Sequence, residues 1–171
     1  VVRLTRVFRQ AAESGIVRAA HDILQGHMPT LDPPAPDFFF VQTDEPPAIV
    51  ERIVSLVADR IPKRFGLNPL TDIQVLSPMN RTELGVTNLN TRLQTALNPD
   101  SGQPRLERFG QSFRVGDRVL QTANDYKKHV YNGDLGRIEE IDPTDRVLRA
   151  RFDGKLVDYD FGEVDELQLA Y

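Results

Sequence analysis

The stretch with the most chemical character is Asn-Asp-Tyr-Lys-Lys-His-Val-Tyr-Asn-Gly at 124–133. It sets two aromatic rings and two ammonium groups in one short segment, the combination that stacks bases and neutralises phosphates. Tyr126, Lys127, Lys128, Tyr131 and Asn132 are therefore candidates for nucleic-acid contact. Each has a plainer explanation. Tyr131 can fill a small barrel, the lysines can be a solvated charged loop, and Asn132 with Gly133 suits a tight turn that needs positive φ. For Asn132 the turn is the better account. A second candidate is Ser-Pro-Met-Asn-Arg at 77–81. It follows a predicted parallel strand, and open α/β sheets carry their functional loops at that end. A solvated loop without a ligand competes with that reading.

Other conspicuous residues read as structural. Phe38, Phe39 and Phe40 are consecutive, so they alternate faces of a strand and cannot form one stacking platform; core packing accounts for them better. Asp158 and Asp160 alternate with apolar residues, as the wet side of a barrel strand should. His21, His27 and His129 are too scattered for a metal cluster, and the chain has no cysteine, so no disulfide or thiolate site exists and no metal is expected. The absence of cysteine agrees with a cytoplasmic location.

The elements that must position these residues change character along the chain. Ser14 is placed to cap a helix to about Gln25, with Ile16, Ala20, Ile23 and Leu24 on one face and Gly26 as the stop. Four prolines in 27–36 mark a loop, and 37–43 then reads as a strand. Pro46 and Pro47 suit the first turn of a second helix with the stripe Ile49, Ile53, Leu56, Val57 and Ile61, kinked or ended by Pro62 and closed by Gly66. Residues 72–77 read as a short buried parallel strand, and 84–97 as a helix presenting Val86, Leu89, Leu93 and Leu97. This alternation predicts part of a parallel α/β sheet over residues 1 to about 100. After 98–104 the period shortens. Strands are predicted at 115–122, 135–141, 147–152 and 156–161, with turns at Asn132-Gly133, 142–145 and Asp153-Gly154. Four or five strands in so short a span make a small barrel, inserted before the apolar run at 167–171.

Forty per cent apolar and 27% charged residues describe a soluble globular chain, and no window approaches a membrane span. The net charge of −4 excludes a surface that attracts nucleic acid everywhere. Residues 1–110 hold 12 Lys/Arg and 12 Asp/Glu, and 111–171 hold 9 and 13, so any basic path is local. The chain opens on Val1 without a signal peptide and closes on Leu-Gln-Leu-Ala-Tyr, in what reads as mid-strand, so an internal fragment is expected.

Four stretches together resemble the RecD-like superfamily 1 DNA helicases, the family of the exodeoxyribonuclease V alpha subunit. They are Leu-Thr-Arg-Val-Phe-Arg-Gln at 4–10; Val-Leu-Ser-Pro-Met-Asn-Arg at 75–81 with Leu84-Gly-Val and Leu89-Asn; Gly116-Asp-Arg-Val with Asn124-Asp-Tyr and Asn132-Gly-Asp-Leu-Gly; and the closing 167–171. Their order and spacing cover nearly the whole chain. The resemblance implies that 1–108 is part of the second RecA-like domain, 109–166 an inserted SH3-like barrel, and 167–171 a strand returning to the first. It implies that Arg9 reaches across a cleft to the γ-phosphate of ATP, where a permanently charged planar fork stabilises developing charge, with Gln10 beside it. Pairing of Arg9 with a carboxylate such as Glu13 is the local alternative. It also places single-stranded DNA over the loop at 77–81, so that Ser77, Asn80 and Arg81 would meet phosphates and Met79 a base. Asn88 and Asn90 either share that surface or are polar positions of an amphipathic helix.

No phosphate-binding loop of the G-x-x-x-x-G-K-[ST] type and no Mg²⁺-holding acidic pair are found. ATP and Mg²⁺ are accordingly expected to be held mainly by an upstream RecA-like domain of the same chain, with no cofactor on this part and no ATPase from it alone. The function expected is that of part of an ATP-dependent helicase, monomeric, translocating 5′ to 3′ on single-stranded DNA and unwinding duplex. The rival expectation is a non-catalytic adaptor whose barrel binds a protein segment, since small barrels host both.

Overall fold

The computed structural model describes residues 14–31 and 36–171. The chain divides into two units, Val1–Thr43 and Asp44–Tyr171.

In the first unit, helix α1 (Gly15–Leu24) ends as the sequence predicts. Gly26 takes φ +79°, its N–H donates to Ile23 O, and His27 N–H donates to Asp22 O, the paired bonds of a Schellman stop. Its start differs from expectation. The Ser14 hydroxyl makes no cap; it donates to Asp37, whose other oxygen accepts Gly15 N–H at 2.8 Å. The cap is thus a carboxylate from 22 residues downstream, and those bonds, led by the one from Ser14, hold the Asp37 carboxyl below its ordinary range. The predicted apolar face is also shifted. Gly15 and Ala19 are buried, whereas Ile23 and Leu24 are exposed.

The second unit begins with α2 (Pro46–Ser55), which carries Pro46 and Pro47 in its first turn. A π-helical turn, Leu56–Arg60, joins it to α3 (Ile61–Phe65), and Gly66 closes the run at φ +68°. Pro62 has no N–H and its ring would strike the carbonyl one turn back. Widening the preceding turn, so that Ile61 N–H donates to Leu56 O, relieves that conflict without ending the helix. Helix α4 (Val86–Leu97) buries Leu89 and Leu93, as its period requires, and Asn90 and Gln94 with them.

Among the described residues every strand ladder is antiparallel, and the expected parallel RecA-like sheet is not found. Residues 39–43 and 73–77 form no ladder. A buried parallel strand needs a neighbour on each side, and here Phe39, Phe40 and Leu76 stay exposed, Leu76 by 87%. Core packing is therefore not the role of Phe39 or Phe40 among the described residues.

The β part is as dense as predicted. Strands β1 (Arg105–Arg108) and β2 (Gln111–Arg114) form a hairpin that the sequence reading missed. Strands β3 (Arg118–Gln121), β4 (Leu135–Asp142), β5 (Val147–Phe152), β6 (Lys155–Asp160) and β7 (Leu167–Leu169) form a sheet in the order β6-β5-β4-β3-β7. Asp153-Gly154 makes the two-residue turn between β5 and β6. A bulge between Ile138 and Glu140 resets the phase of β4, so that Ile138 and Ile141 both face the core. On β4, Gly136 lies beneath the Phe152 ring of its cross-strand partner; a Cβ there would sit 2.6 Å from that ring. One continuous core includes Val57, Leu93, Leu106, Phe113, Val119, Leu148, Tyr159 and Tyr171, so the helices of the second unit, the hairpin and the sheet are packed as one body.

Candidate nucleic-acid interface

Two surface loops, with Asn88 in the first turn of α4, carry the predicted site residues of the second unit. The first, residues 77–85, is closed by its own hydrogen bonds. Ser77 Oγ donates to Leu84 O at 2.7 Å and accepts Met79 N–H, and the first N–H groups of α4, those of Val86 and Thr87, donate to Met79 O and Asn80 O. Gly85 permits this fold: a Cβ would come within 2.7 Å of the Asn80 and Thr82 backbone. The Ser77 hydroxyl is thus spent on loop closure, while Met79, Asn80 and Arg81 face solvent. No ion pair engages Arg81 among the described residues. Asn88 donates its amide to Glu83 O at 2.6 Å. It lines a cleft of about 460 Å³ whose charged groups are Glu51, Glu83 and Arg92, with Arg92 already paired to Glu51. Two carboxylates against one neutralised guanidinium make that cleft a poor host for a phosphate.

The second loop joins β3 to β4. Asp125 accepts the N–H groups of Lys127 and Lys128 at 2.8 and 2.9 Å, and these bonds, that of Lys128 foremost, keep its carboxyl below the usual range. A bridge between Asp125 and Val130 ties the base of the loop. Val130, not Tyr131, fills the barrel. Tyr131 is exposed and meets the ring of Tyr126, itself 71% exposed, edge-on with centroids 6.0 Å apart. Asn132 receives a turn role in part: its N–H donates to Asn124 Oδ1, and Gly133 takes φ +99° beside it. The two lysines separate. Lys127 is exposed with no partner among the described residues, whereas the Lys128 ammonium lies 2.6 Å from Glu163 and 4.4 Å over the Tyr159 ring. That pairing is the chief reason the Glu163 carboxyl lies below its usual range. Lys128 is bound inward and has little left to offer a phosphate.

The loops share a support that sequence reading overlooked. Asp117 is fully buried, and its carboxylate accepts Gln94 Nε2, Asn98 Nδ2, the Tyr171 hydroxyl and Arg114 N–H at 2.6–2.7 Å. Burial raises the Tyr171 phenol, and the adjacent carboxylate raises it further. One turn up α4, Asn90 donates to Leu169 O and accepts Tyr171 N–H. Asn90, Gln94 and Asn98 recur every fourth residue, a polar stripe beside the leucines, and that spacing was the available signal. From β3, Arg118 donates to Ile73 O at 2.7 Å, so the sheet grips the segment leading into residues 77–81. Among the described residues no hydrogen bond or ion pair joins the two loops directly. Arg9 and Gln10 lie outside the described residues. No group of three or more His, Cys, Asp or Glu able to hold a metal occurs among the described residues, and no helix there is long and apolar enough to cross a membrane.

Residues 89–152 match the model described as the ATP-dependent RecD-like DNA helicase SH3 domain. The ATP-dependent RecD2 DNA helicase of Deinococcus radiodurans is 34% identical over 170 residues, which is 99% of this chain and 22% of that protein. The RecBCD enzyme subunit RecD of Mycolicibacterium smegmatis is 33% identical over 91 residues, 53% of this chain and 15% of that protein. The chain thus spans less than a quarter of the length of either relative. A solved Pif1 helicase from Bacteroides aligns with 92% of this chain and 33% of its own at 20% identity, with a TM-score of 0.42.

Proposed function

Because this chain belongs to the RecD-like DNA helicases, we propose that it serves as part of an ATP-dependent helicase motor, supplying single-stranded DNA contacts through the two loops of the Asp44–Tyr171 unit. The observation that carries this reading is the 124–133 loop. Tyr126 and Tyr131 stand out of the barrel together, beside an unpaired Lys127, on a backbone held by Asp125. Exposed rings with a free ammonium suit a strand whose bases are sequence-variable and whose phosphates are regular. Tyr126, Lys127 and Asn132 then form one contact and Met79, Asn80 and Arg81 the other. Ser77, Asn88 and Lys128 act by holding the loops.

In the intact enzyme ATP and Mg²⁺ would be bound mainly by an upstream RecA-like domain, with Arg9 approaching the γ-phosphate and Gln10 lining the cleft. Translocation would run 5′ to 3′, and residues 1–108 together with 167–171 would complete a parallel sheet with the rest of that protein. These assignments follow the family resemblance. Replacing Arg9 with alanine in a helicase that contains this segment should abolish turnover while leaving ATP affinity nearly unchanged; normal turnover would remove Arg9 from the mechanism.

The direct test is oligonucleotide binding by this chain over a salt series. Each phosphate contact contributes about 0.7 to the slope of log K against log salt for single strands. Lys127→Ala and Arg81→Ala should each lower the slope by about that amount. Absence of binding at low salt would refute the reading and favour a protein-binding barrel.

A further inference from the structure

We propose that the tip of the β1–β2 hairpin is a third nucleic-acid contact, in which Phe109 stacks on an unpaired base and Arg108 meets an adjacent phosphate. The inference rests on the nucleic-acid reading above and adds a site to it.

Two hairpins of this chain use the same kind of turn and invite comparison. In each, two residues with positive φ connect strands in direct register, Arg108 facing Gln111 in one and Phe152 facing Lys155 in the other. Asp153 and Gly154 take φ +43° and +81°, and Phe109 and Gly110 take +51° and +74°. Asp-Gly is the ordinary choice for such a turn, because a short polar side chain tolerates the left-handed region and can bond the local backbone. Phenylalanine offers neither advantage. Of the four non-glycine residues with positive φ among those described, Phe109, His129, Arg146 and Asp153, only Phe109 lacks a polar side-chain atom.

Nor does the ring gain anything by burial. Phe109 is 65% exposed, whereas Phe113 on the same hairpin is completely buried in the core. The position therefore combines an unfavourable backbone with an exposed aromatic ring, and no aromatic or cation–π pair engages that ring among the described residues. The residue type makes sense as a contact to something outside the chain. The mount is firm. Leu106 and Phe113 anchor the hairpin in the core, Gln94 donates to Ser112 O at 2.7 Å, and Gln111 accepts Leu169 N–H at 3.0 Å.

The surroundings favour a base over a protein surface. A protein-docking anchor sits within a contiguous apolar patch, but Phe109 is bordered by Arg108, Gln111, Glu107 and Ser112. Arg108 is exposed and makes no ion pair among the described residues, while Arg105 is held by Asp100 and Glu107. One ring with one free guanidinium is the minimum needed to stack a base and neutralise its phosphate.

The test uses this chain with a single-stranded oligonucleotide carrying 2-aminopurine, whose fluorescence reports stacking. Phe109→Asn restores an ordinary turn residue, so its thermal midpoint should equal or exceed the native one while affinity falls roughly 5- to 20-fold, the lower range for loss of a base–aromatic stack. The salt slope should not change with Phe109→Asn and should fall by about 0.7 with Arg108→Ala. Phe109→Trp should keep both affinity and the fluorescence signal. If the native chain binds and Phe109→Asn binds equally with the same fluorescence, this site is refuted alone. If the native chain binds no oligonucleotide, the nucleic-acid reading fails and takes this site with it.

Discussion

Removing the Asp117 carboxylate tests whether the buried polar hub holds the second unit together. Asp117→Ala strands four donors, of which Gln94 and Tyr171 are 3% and 5% exposed and Arg114 N–H belongs to the main chain. A buried donor left without a partner costs about 1–3 kcal/mol. Water entering the vacated space and relief of the buried charge offset part of the sum, which leaves a loss of about 4–6 kcal/mol. Asp117→Asn discriminates further. Its amide can retain the oxygen that serves Gln94 and Arg114, and the Tyr171 hydroxyl can rotate to accept the new N–H. Asn98 alone is then opposed donor to donor, a cost of about 2–3 kcal/mol once the weaker neutral bonds are included. Tyr171→Phe removes one of four donors and keeps the buried ring, at about 1 kcal/mol. Urea melts followed by circular dichroism should therefore rank the losses as Ala, then Asn, then Tyr171→Phe, with the denaturant slope unchanged. At about 2–4 °C of midpoint per kcal/mol for a chain of this size, the first variant should melt some 8–24 °C lower. A loss below about 1 kcal/mol for Asp117→Ala would refute the account, because four stranded donors cannot be so cheap.

Gly136→Ala places a methyl group 2.6 Å from the Phe152 ring and should cost about 1–3 kcal/mol by overpacking; Phe152→Leu in the same chain should recover part of it, seen as a non-additive double-mutant cycle. Lys128→Ala should lower stability by about 1 kcal/mol through loss of the Glu163 pair and the Tyr159 contact while leaving the salt slope of DNA binding nearly unchanged, the reverse of Lys127→Ala. A large change of slope for Lys128→Ala would contradict its inward placement. For pH, the Asp125 carboxyl is depressed in the folded chain, so its contribution is present above the unfolded value near 4 and is lost as pH falls through the lower folded value. Amide exchange at Lys127 and Lys128 should then lose protection, relative to neighbouring strands, only on that acid side; Asp125→Asn should weaken the protection at neutral pH.

The β part was legible because its signals are local. Asp153-Gly154, the alternation in 147–152 and 156–161, and the turn at 142–145 each state their geometry within a few residues. The β1–β2 hairpin escaped because Phe-Gly is a weak turn signal, although Arg-Phe-Gly-Gln between Leu106 and Phe113 carried the glycine that a two-residue turn needs. The parallel strands were read from apolar runs, and an apolar run does not name its partners; 72–77 alternates half-buried Ile73 and Val75 with exposed Gln74 and Leu76, yet no ladder forms along it among the described residues. For the candidate site, residue types pointed to the 124–133 loop, but only the folded structure separates Lys127 from Lys128. That distinction depends on Glu163 and Tyr159, more than thirty residues away in sequence and in different elements.

Why the hub is polar follows from the repeat on α4. Leu89, Leu93 and Leu97 are spaced by four, so sliding the helix by one turn, about 5.4 Å, would put leucine where leucine had been along most of the contact. Apolar packing alone distinguishes those registers weakly, because it counts area and not direction. The amide row resolves them. In the observed register the longer arm of Gln94 and the shorter arm of Asn98 both reach Asp117, and Asn90 reaches the Leu169–Tyr171 backbone. One turn out of register, Asn98 would occupy the place of Gln94 one methylene short, and no amide would follow it, leaving a buried carboxylate short of two donors. An underbonded buried charge is among the costlier errors a fold can make, so the same four hydrogen bonds that add modest net stability in the correct register exclude the nearest wrong one. Because α4 begins where the 77–85 loop ends, and Asp117 lies one residue before β3, that register fixes where both candidate loops emerge.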